Sequence, residues 1–288
     1  MKKIAILGCE NSHADGFLQY IKDNPNLDVE VVGIYSDESE PVERLTKQFD
    51  VPSLKSYDEV VGKVDGIIIT ARHGDNHYKY AKPYIKSGIP MFIDKPATIS
   101  EDEAVAFAKE LKANNVKITG GSCCKYFDRV VLQKQMVESG NYGKVKSAFF
   151  RAPMEFDSEY GGFYFYSQHM VQMVCEIYGY YPESVMATKN GDTVSVIIKY
   201  DGLSVTGTYV DETYKYYCVA NFENMTEAGE CIFDGVFEKE FEEYFSVLFG
   251  AEQKCNYKDF FAPVYIMNAM MRSIESGKLE KVNPMEEI

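Results

Sequence analysis

The sequence predicts an α/β fold: a doubly wound parallel sheet over residues 1–121, followed by an α+β domain with a mostly antiparallel sheet over residues 122–288. Three observations predict it. Apolar runs of strand length alternate with amphipathic helical stretches through the first 120 residues, which is the pattern of βαβ crossovers. The alternation stops at Gly120-Gly121. Beyond it, turn signals at Asn190-Gly191-Asp192 and Asp201-Gly202 join consecutive β-patterned runs.

In order, the parallel strands are expected at Lys3–Leu7, Val29–Tyr35, Gly66–Thr70, Met91–Ile93 and Val116–Gly120. Helices are expected at about 13–23, 41–49, 57–62, 75–87 and 101–114. Ser100-Glu101-Asp102-Glu103 has the spacing of a capping box and marks the start of the last of these. The second half opens with a helix at about 127–139, the turn Gly140-Asn141-Tyr142-Gly143 and a strand at Lys144–Arg151. A Tyr/Phe-rich helix at about 164–178 follows. Val194–Tyr200, Ser204–Val210 and Tyr216–Phe222 read as consecutive antiparallel strands, and an amphipathic helix at about 257–276 ends the pattern.

Composition limits the function classes. With 288 residues, 45% hydrophobic and 26% charged, the chain can bury a sizeable core and is expected to hold two domains. No apolar run approaches the roughly 18–20 residues of a membrane span, and Ile4–Leu7 is too short for a signal-peptide core. A net charge of −14 repels phosphate backbones and anionic lipid, so neither nucleic acid nor membrane is an expected partner. Seven cysteines without framework spacing suit reduced thiols in the cytoplasm.

The chemistry-bearing residues gather at strand ends. Ile93-Asp94-Lys95-Pro96 closes a buried strand with an acid, a lysine and a proline. Ligands of parallel sheets bind beyond the carboxyl ends of the strands, so Lys95 is placed for proton transfer; a solvated loop lysine is the other reading. The first turn, Gly8-Cys9-Glu10-Asn11-Ser12-His13, keeps one glycine of G-x-G-x-x-G, although Asn11, Ser12 and the helix amides suit an anion. After the second strand, Ser36, Asp37 and their acidic neighbours would bond a ribose and repel a 2′-phosphate, which favours NAD over NADP; a solvated acidic loop is the alternative. His13, His73 and His77 fall at the same edge, and His169 lies near the start of a later helix. Their spacings match no common zinc pattern, and Cys123-Cys124 lacks a two-residue spacer, so both cysteines read as packing residues and no metal is expected.

With these residues in place, the chain resembles the glucose–fructose oxidoreductase / inositol dehydrogenase / MocA (Gfo/Idh/MocA) family. Ser87-Gly88-Ile89-Pro90-Met91-Phe92-Ile93-Asp94-Lys95-Pro96 is similar to its A-G-K-H-V-x-x-E-K-P segment, and Ser139-Gly140-Asn141-Tyr142-Gly143-Lys144-Val145 to its S-G-x-L-G-x-V turn. Ile67–Thr70 followed by His77 resembles its T-P-x-x-x-H region, with Ala71 for the proline. The resemblance implies a Rossmann domain, an open-faced sheet domain, NAD or NADP as cofactor, and a small polyol, sugar or related hydroxy/keto substrate between the domains. It makes Lys95 the acid/base and aligns His169 with the histidine of a D-x-x-x-H motif whose aspartate is here Phe165. Cofactor contacts are expected from Gly8, Glu10, Asn11, Ser12, His13, Ser36, Asp37, Thr70, His73 and Asp94, and substrate contacts from His77, Lys125, Tyr164, Tyr166 and Gln168. Tyr164, Tyr166 or Gln168 is expected to replace the missing aspartate. A homodimer or homotetramer is expected to cover the open sheet face. With the glycine turn altered, a non-catalytic ligand-binding relative is the alternative function.

Overall fold

The first sheet is built from alternating elements, β1 (Lys2–Leu7), α1 (Ser12–Asp23), β2 (Val29–Tyr35), α2 (Ser39–Phe49), β3 (Gly66–Ile69), α3 (Asp75–Ile85), β4 (Met91–Asp94), α4 (Glu101–Ala113) and β5 (Ile118–Gly121). These come from a computed structural model, which describes residues 1–211 and 213–288. The five strands are parallel in the order β2-β1-β3-β4-β5. The order reverses beside β1, which opens a crevice at the carboxyl edge where ligands of doubly wound sheets bind. β3, β4 and β5 are fully buried, as a sheet covered on both faces requires.

Residues 57–62 do not form a helix. Their hydrogen bonds run only three residues back, from Glu59 to Ser56, Val61 to Asp58 and Lys63 to Val60, and Gly62 at φ +74° ends the run before an α-turn can propagate. At α4 the Ser100 hydroxyl accepts from the Glu103 amide at 3.4 Å, while buried Glu103 Oε2 has no partner among the described residues, so the expected cap is formed on one side.

After a 3₁₀ turn at Cys123–Tyr126, the second half runs α5 (Asp128–Ser139), β6 (Val145–Met154), α6 (Tyr164–Tyr178), β7 (Ser184–Asn190), β8 (Thr193–Tyr200), β9 (Leu203–Asp211), β10 (Tyr216–Phe222) and β11 (Thr226–Cys231). Two helices, α7 (Val236–Leu248) and α8 (Tyr257–Ser276), and the short β12 (Glu280–Lys281) complete it. The seven strands order as β11-β10-β6-β9-β8-β7-β12. The expected antiparallel succession therefore breaks between Ser204–Val210 and Tyr216–Phe222. The strand β6 lies between them, antiparallel to β10 and parallel to β9. Alternation identifies a strand and its buried face but leaves the neighbour to long-range pairing.

One face of this sheet is packed by α5, α6 and α8 through Val130, Met170, Val174, Ile266 and Met270. The other face is mixed: Ser195, Lys199 and Asn221 stand beside Phe149, Ile197 and Val219. It is less apolar than a covered oligomer face was expected to be.

The last two helices tie the halves together. Phe260, Phe261 and Tyr265 of α8 pack with Phe107 and Leu111 of α4. Phe241, Tyr244, Phe245 and Leu248 of α7 pack with Ile4, Ile6, Phe17 and Phe92 beneath the first sheet. Residues late in the chain thus complete the core of the N-terminal sheet.

Candidate active site

A cleft of about 400 Å³ opens above the carboxyl ends of β1, β4 and β5 and is closed over by the second half of the chain. Its size is that of a small-ligand site. Lys95 enters it directly from β4. The side chain is 5% exposed, donates from Nζ to the Phe165 carbonyl at 2.9 Å, and lies 4.2 Å from the Phe165 ring centre and 5.0 Å from that of Tyr166. Burial lowers its pKa, against the charges of Asp94, Cys123, Cys124 and Glu155. Phe165 stands where the resemblance puts an aspartate. Its carboxylate is missing, but its carbonyl and ring hold the same lysine.

His169 faces the cleft from α6. Its Nδ1 pairs with the Ser122 hydroxyl at 2.7 Å and lies 3.4 Å from Cys124 Sγ, leaving Nε2 for the ligand side. Burial, then the neighbouring Lys95, holds its pKa well below the ordinary imidazole value, so the ring is neutral. Ser122 and Cys124 orient it through hydrogen bonds, and Tyr166 packs edge-on against the ring with centres 5.4 Å apart.

Asp94 is fully buried and accepts from three protein donors: His13 Nδ1 at 2.7 Å, Asn11 Nδ2 at 2.9 Å and the Lys95 amide at 2.7 Å. Burial alone would raise its pKa; the His13 charge and hydrogen bond, with Lys95, outweigh it and hold the carboxyl below its ordinary value. Asp94 is therefore a positioning residue for His13 and the Lys95 backbone rather than a cofactor contact. Asn11 also caps α1, accepting from the His13 amide at 3.1 Å.

Several expected contacts lie elsewhere. His77 is fully buried, its two ring nitrogens 2.7 Å and 2.9 Å from the carbonyls of Pro96 and Ala71, so it clamps two strand ends together. Thr70 is fully buried and donates to the Gly8 carbonyl. Tyr164 donates to Asn268 on α8, and Lys125 to the Gly120 carbonyl with Glu243 at 3.8 Å. Gln168 is fully buried among core groups, and His73 sits beside Asp75 outside the cleft lining. Helical and strand periodicity cannot tell which of two inward directions meets a cleft. Of the expected residues, Asn11, Ser12, His13, Lys95, Tyr166 and His169 do line it.

The structure adds residues that sequence reasoning missed. Arg72 donates to the Tyr160 hydroxyl at 2.9 Å and stacks over its ring, and Tyr214 donates to Glu155 at 2.8 Å. Arg72 follows β3, and Glu155, Tyr160 and Tyr214 sit in loops 155–162 and 213–215, where no spacing signal marks them. Phe233 and Phe237 close the side nearest His13.

The cofactor edge can be tested on the turn itself. Gly8 has φ +80°, and a Cβ there would lie 2.3 Å from the Ala71 amide nitrogen, so the tight first turn admits only glycine at this position. Glu10 stands at the second glycine position. Its carboxylate accepts from the Ser36 hydroxyl at 2.7 Å and the Arg72 amide at 3.1 Å, which places it between the ends of β2 and β3. Asp37, nearby, accepts from Tyr35, Tyr80 and Lys79. Both carboxylates stand beside the carboxyl end of β2, a position that favours hydroxyl donors and opposes an added phosphate.

Residues 2–122 match the profile of an oxidoreductase family with an NAD-binding Rossmann fold, GFO_IDH_MocA. The match covers the first sheet and its helices and ends where the second half of the chain begins. Glucose-6-phosphate 3-dehydrogenase of Bacillus subtilis (strain 168) is 26% identical over 150 residues, 51% of this chain and 41% of that protein. The uncharacterized oxidoreductase YhhX of Escherichia coli (strain K12) is 23% identical over 162 residues, 52% of this chain and 46% of its own. The matched segment thus spans less than half the length of either curated relative. Among solved structures, a myo-inositol dehydrogenase from Corynebacterium glutamicum superposes with a TM-score of 0.84 at 18% identity, covering 99% of each chain. A scyllo-inositol dehydrogenase from Lactobacillus casei, solved with NAD(H) and scyllo-inositol, gives 0.85 at 14% identity, covering 98% of this chain and 99% of that one. Both share the two-part fold of this chain.

Proposed function

We propose that this chain is an NAD(P)-dependent oxidoreductase that moves a hydride between the nicotinamide and a small polyol, sugar or related hydroxy/keto compound. The observation that carries the reading is Lys95: a buried amine at the carboxyl end of β4, facing the neutral His169 across one cleft. The curated relatives and structural neighbours named above, which are oxidoreductases by name, support it.

In this reading the dinucleotide supplies the hydride chemistry. Lys95 Nζ exchanges a proton with the substrate oxygen, and the Phe165 carbonyl and ring keep it in place. His169 Nε2 hydrogen-bonds the substrate, with Ser122 fixing the ring. The turn from Gly8 to Ser12 and the amides opening α1 would hold the diphosphate, and Ser36, Asp37 and Glu10 the adenosine ribose.

The Glu10 carboxylate makes a specific prediction. NADH is expected to bind more tightly than NADPH, and Glu10→Gln to narrow that preference by about tenfold, the effect of roughly 1.4 kcal/mol of like-charge repulsion. Fluorescence titration of both nucleotides checks it. If the folded protein binds neither, the oxidoreductase reading falls. The second reading, a non-catalytic ligand-binding relative, is favoured by one observation, Glu10 and His13 at two glycine positions. It then stands in its place.

We also propose a homo-oligomer assembled on the open face of the second sheet around Phe149, Ile197 and Val219. Light scattering is expected to give at least twice the mass of one chain, and a single-chain mass at working concentration overturns it. Among the described residues no helix is long and apolar enough to cross a membrane. The seven unpaired cysteines suit the reducing cytoplasm.

A further inference from the structure

Three donors from distant parts of the chain meet at the floor of the cleft. His13 lies in the first turn of α1, Cys123 in the 3₁₀ turn after β5, and Glu240 on α7. One ring nitrogen, the thiol sulfur and one carboxylate oxygen lie within 4.8 Å of one another. All three residues are buried, with exposures of 7%, 1% and 1%. Neither Glu240 oxygen has a hydrogen-bond partner among the described residues, so a buried carboxylate is aimed at an imidazole and a thiol with nothing to bind.

We propose that His13, Cys123 and Glu240 bind a divalent transition-metal ion of the zinc class. Nitrogen, sulfur and carboxylate oxygen are the donors that zinc takes, and three protein ligands with one open position is the arrangement of catalytic zinc. Charge also closes: a thiolate and a carboxylate balance a dication beside a neutral imidazole, which is the condition for placing ions in a protein interior. Asp94 supplies the outer partner. It engages His13 Nδ1 at 2.7 Å and so fixes the ring with Nε2 towards Cys123 and Glu240, while Asn11 and the Lys95 amide hold the carboxylate in turn. Closing on an ion would draw the donors in to about 3.5 Å, the separation that bonds of about 2.0–2.3 Å impose.

His13 and Cys123 also line the cleft, so the open position faces the space that Lys95 and His169 border. An ion there would polarise a substrate oxygen. That role rests on the oxidoreductase reading, whereas the binding itself does not.

The test is metal content and spectroscopy rather than turnover. Protein stripped with a chelator and reloaded is expected to take up one Zn²⁺ or Co²⁺ per chain by elemental mass spectrometry. The cobalt form is expected to show a thiolate-to-cobalt charge-transfer band that Cys123→Ser removes. Glu240→Gln is expected to weaken zinc binding by at least the roughly 10–100-fold typical of an outer-sphere loss. Cys255→Ser, at a thiol outside the cluster, serves as the control and leaves both readouts unchanged. Circular dichroism verifies that each variant is folded; if Cys123→Ser fails to fold, Cys123→Ala and the wild-type cobalt spectrum carry the test. A folded wild type that takes up neither ion, or a charge-transfer band that survives in folded Cys123→Ser or Cys123→Ala, overturns the proposal. Nucleotide titration of the stripped protein reports separately on the oxidoreductase reading, so the two failures are distinguishable.

Discussion

Lys95→Met is expected to lower kcat by about 10²–10⁴-fold, the range that one positioned acid/base contributes, while NADH affinity changes less than about threefold. The substitution keeps the length and packing of the side chain and removes its proton. It also removes a charge that burial disfavours, so the melting temperature is expected to stay level or rise. A variant that loses nucleotide binding together with turnover would make Lys95 a structural residue instead. The pH profile gives a second check. Burial favours the neutral amine, while Asp94 on β4, Cys123 and Cys124 on the 3₁₀ turn, and Glu155 beyond β6 favour the charged one. His169 on α6 and Glu240 on α7 also face it. The net shift is downward, and substrate oxidation needs the proton-accepting amine. The rate of oxidation is therefore expected to rise with pH along a limb centred below the ordinary lysine value of about 10.4. A limb that persists unchanged in Lys95→Met would belong to another group.

Phe17→Ala is expected to destabilise the protein by about 3–5 kcal/mol, measured by denaturant unfolding. Phe17 is fully buried and its ring lies 4.8 Å from that of Phe92, 4.1 Å from Phe241 and 5.9 Å from Tyr244. It therefore joins α1 and β4 to α7, a helix far along the chain from both. A loss below about 1 kcal/mol would mean that α7 contributes little to the N-terminal core. Because the same helix carries Glu240, this variant is also expected to loosen the floor of the cleft.

Much of the fold was legible because its signals are local. Strand runs such as Ile67–Ile69 and Met91–Ile93 are uninterrupted apolar segments between helical periods, and the glycine turn at Gly140 fixes where α5 stops. Residues 57–62 misled because apolar spacing alone does not count the residues available before a breaker. The pairing of β6 with β9 and β10 was not legible, since a strand's alternation is the same whichever neighbour it takes.

The candidate site divided in the same way. Lys95 could be placed because the end of a parallel strand has one destination, the ligand edge of the sheet. His77 could not be told from His13 on that ground. Both follow strands at the same edge, yet one ring lies between two carbonyls in the interior and the other is turned to the cleft by Asp94.

By itself, then, the sequence determined the βαβ alternation, the change of architecture at Gly120-Gly121 and the position of Lys95, all of which depend on neighbours within a few residues. Tertiary structure decided the partners. It put the Phe165 carbonyl in place of an aspartate, Ser122 behind His169, and Glu240 beside His13 and Cys123. Those meetings depend on how α6 and α7 pack against the first sheet, and packing is set by the sum of many weak contacts across the whole chain rather than by any local pattern.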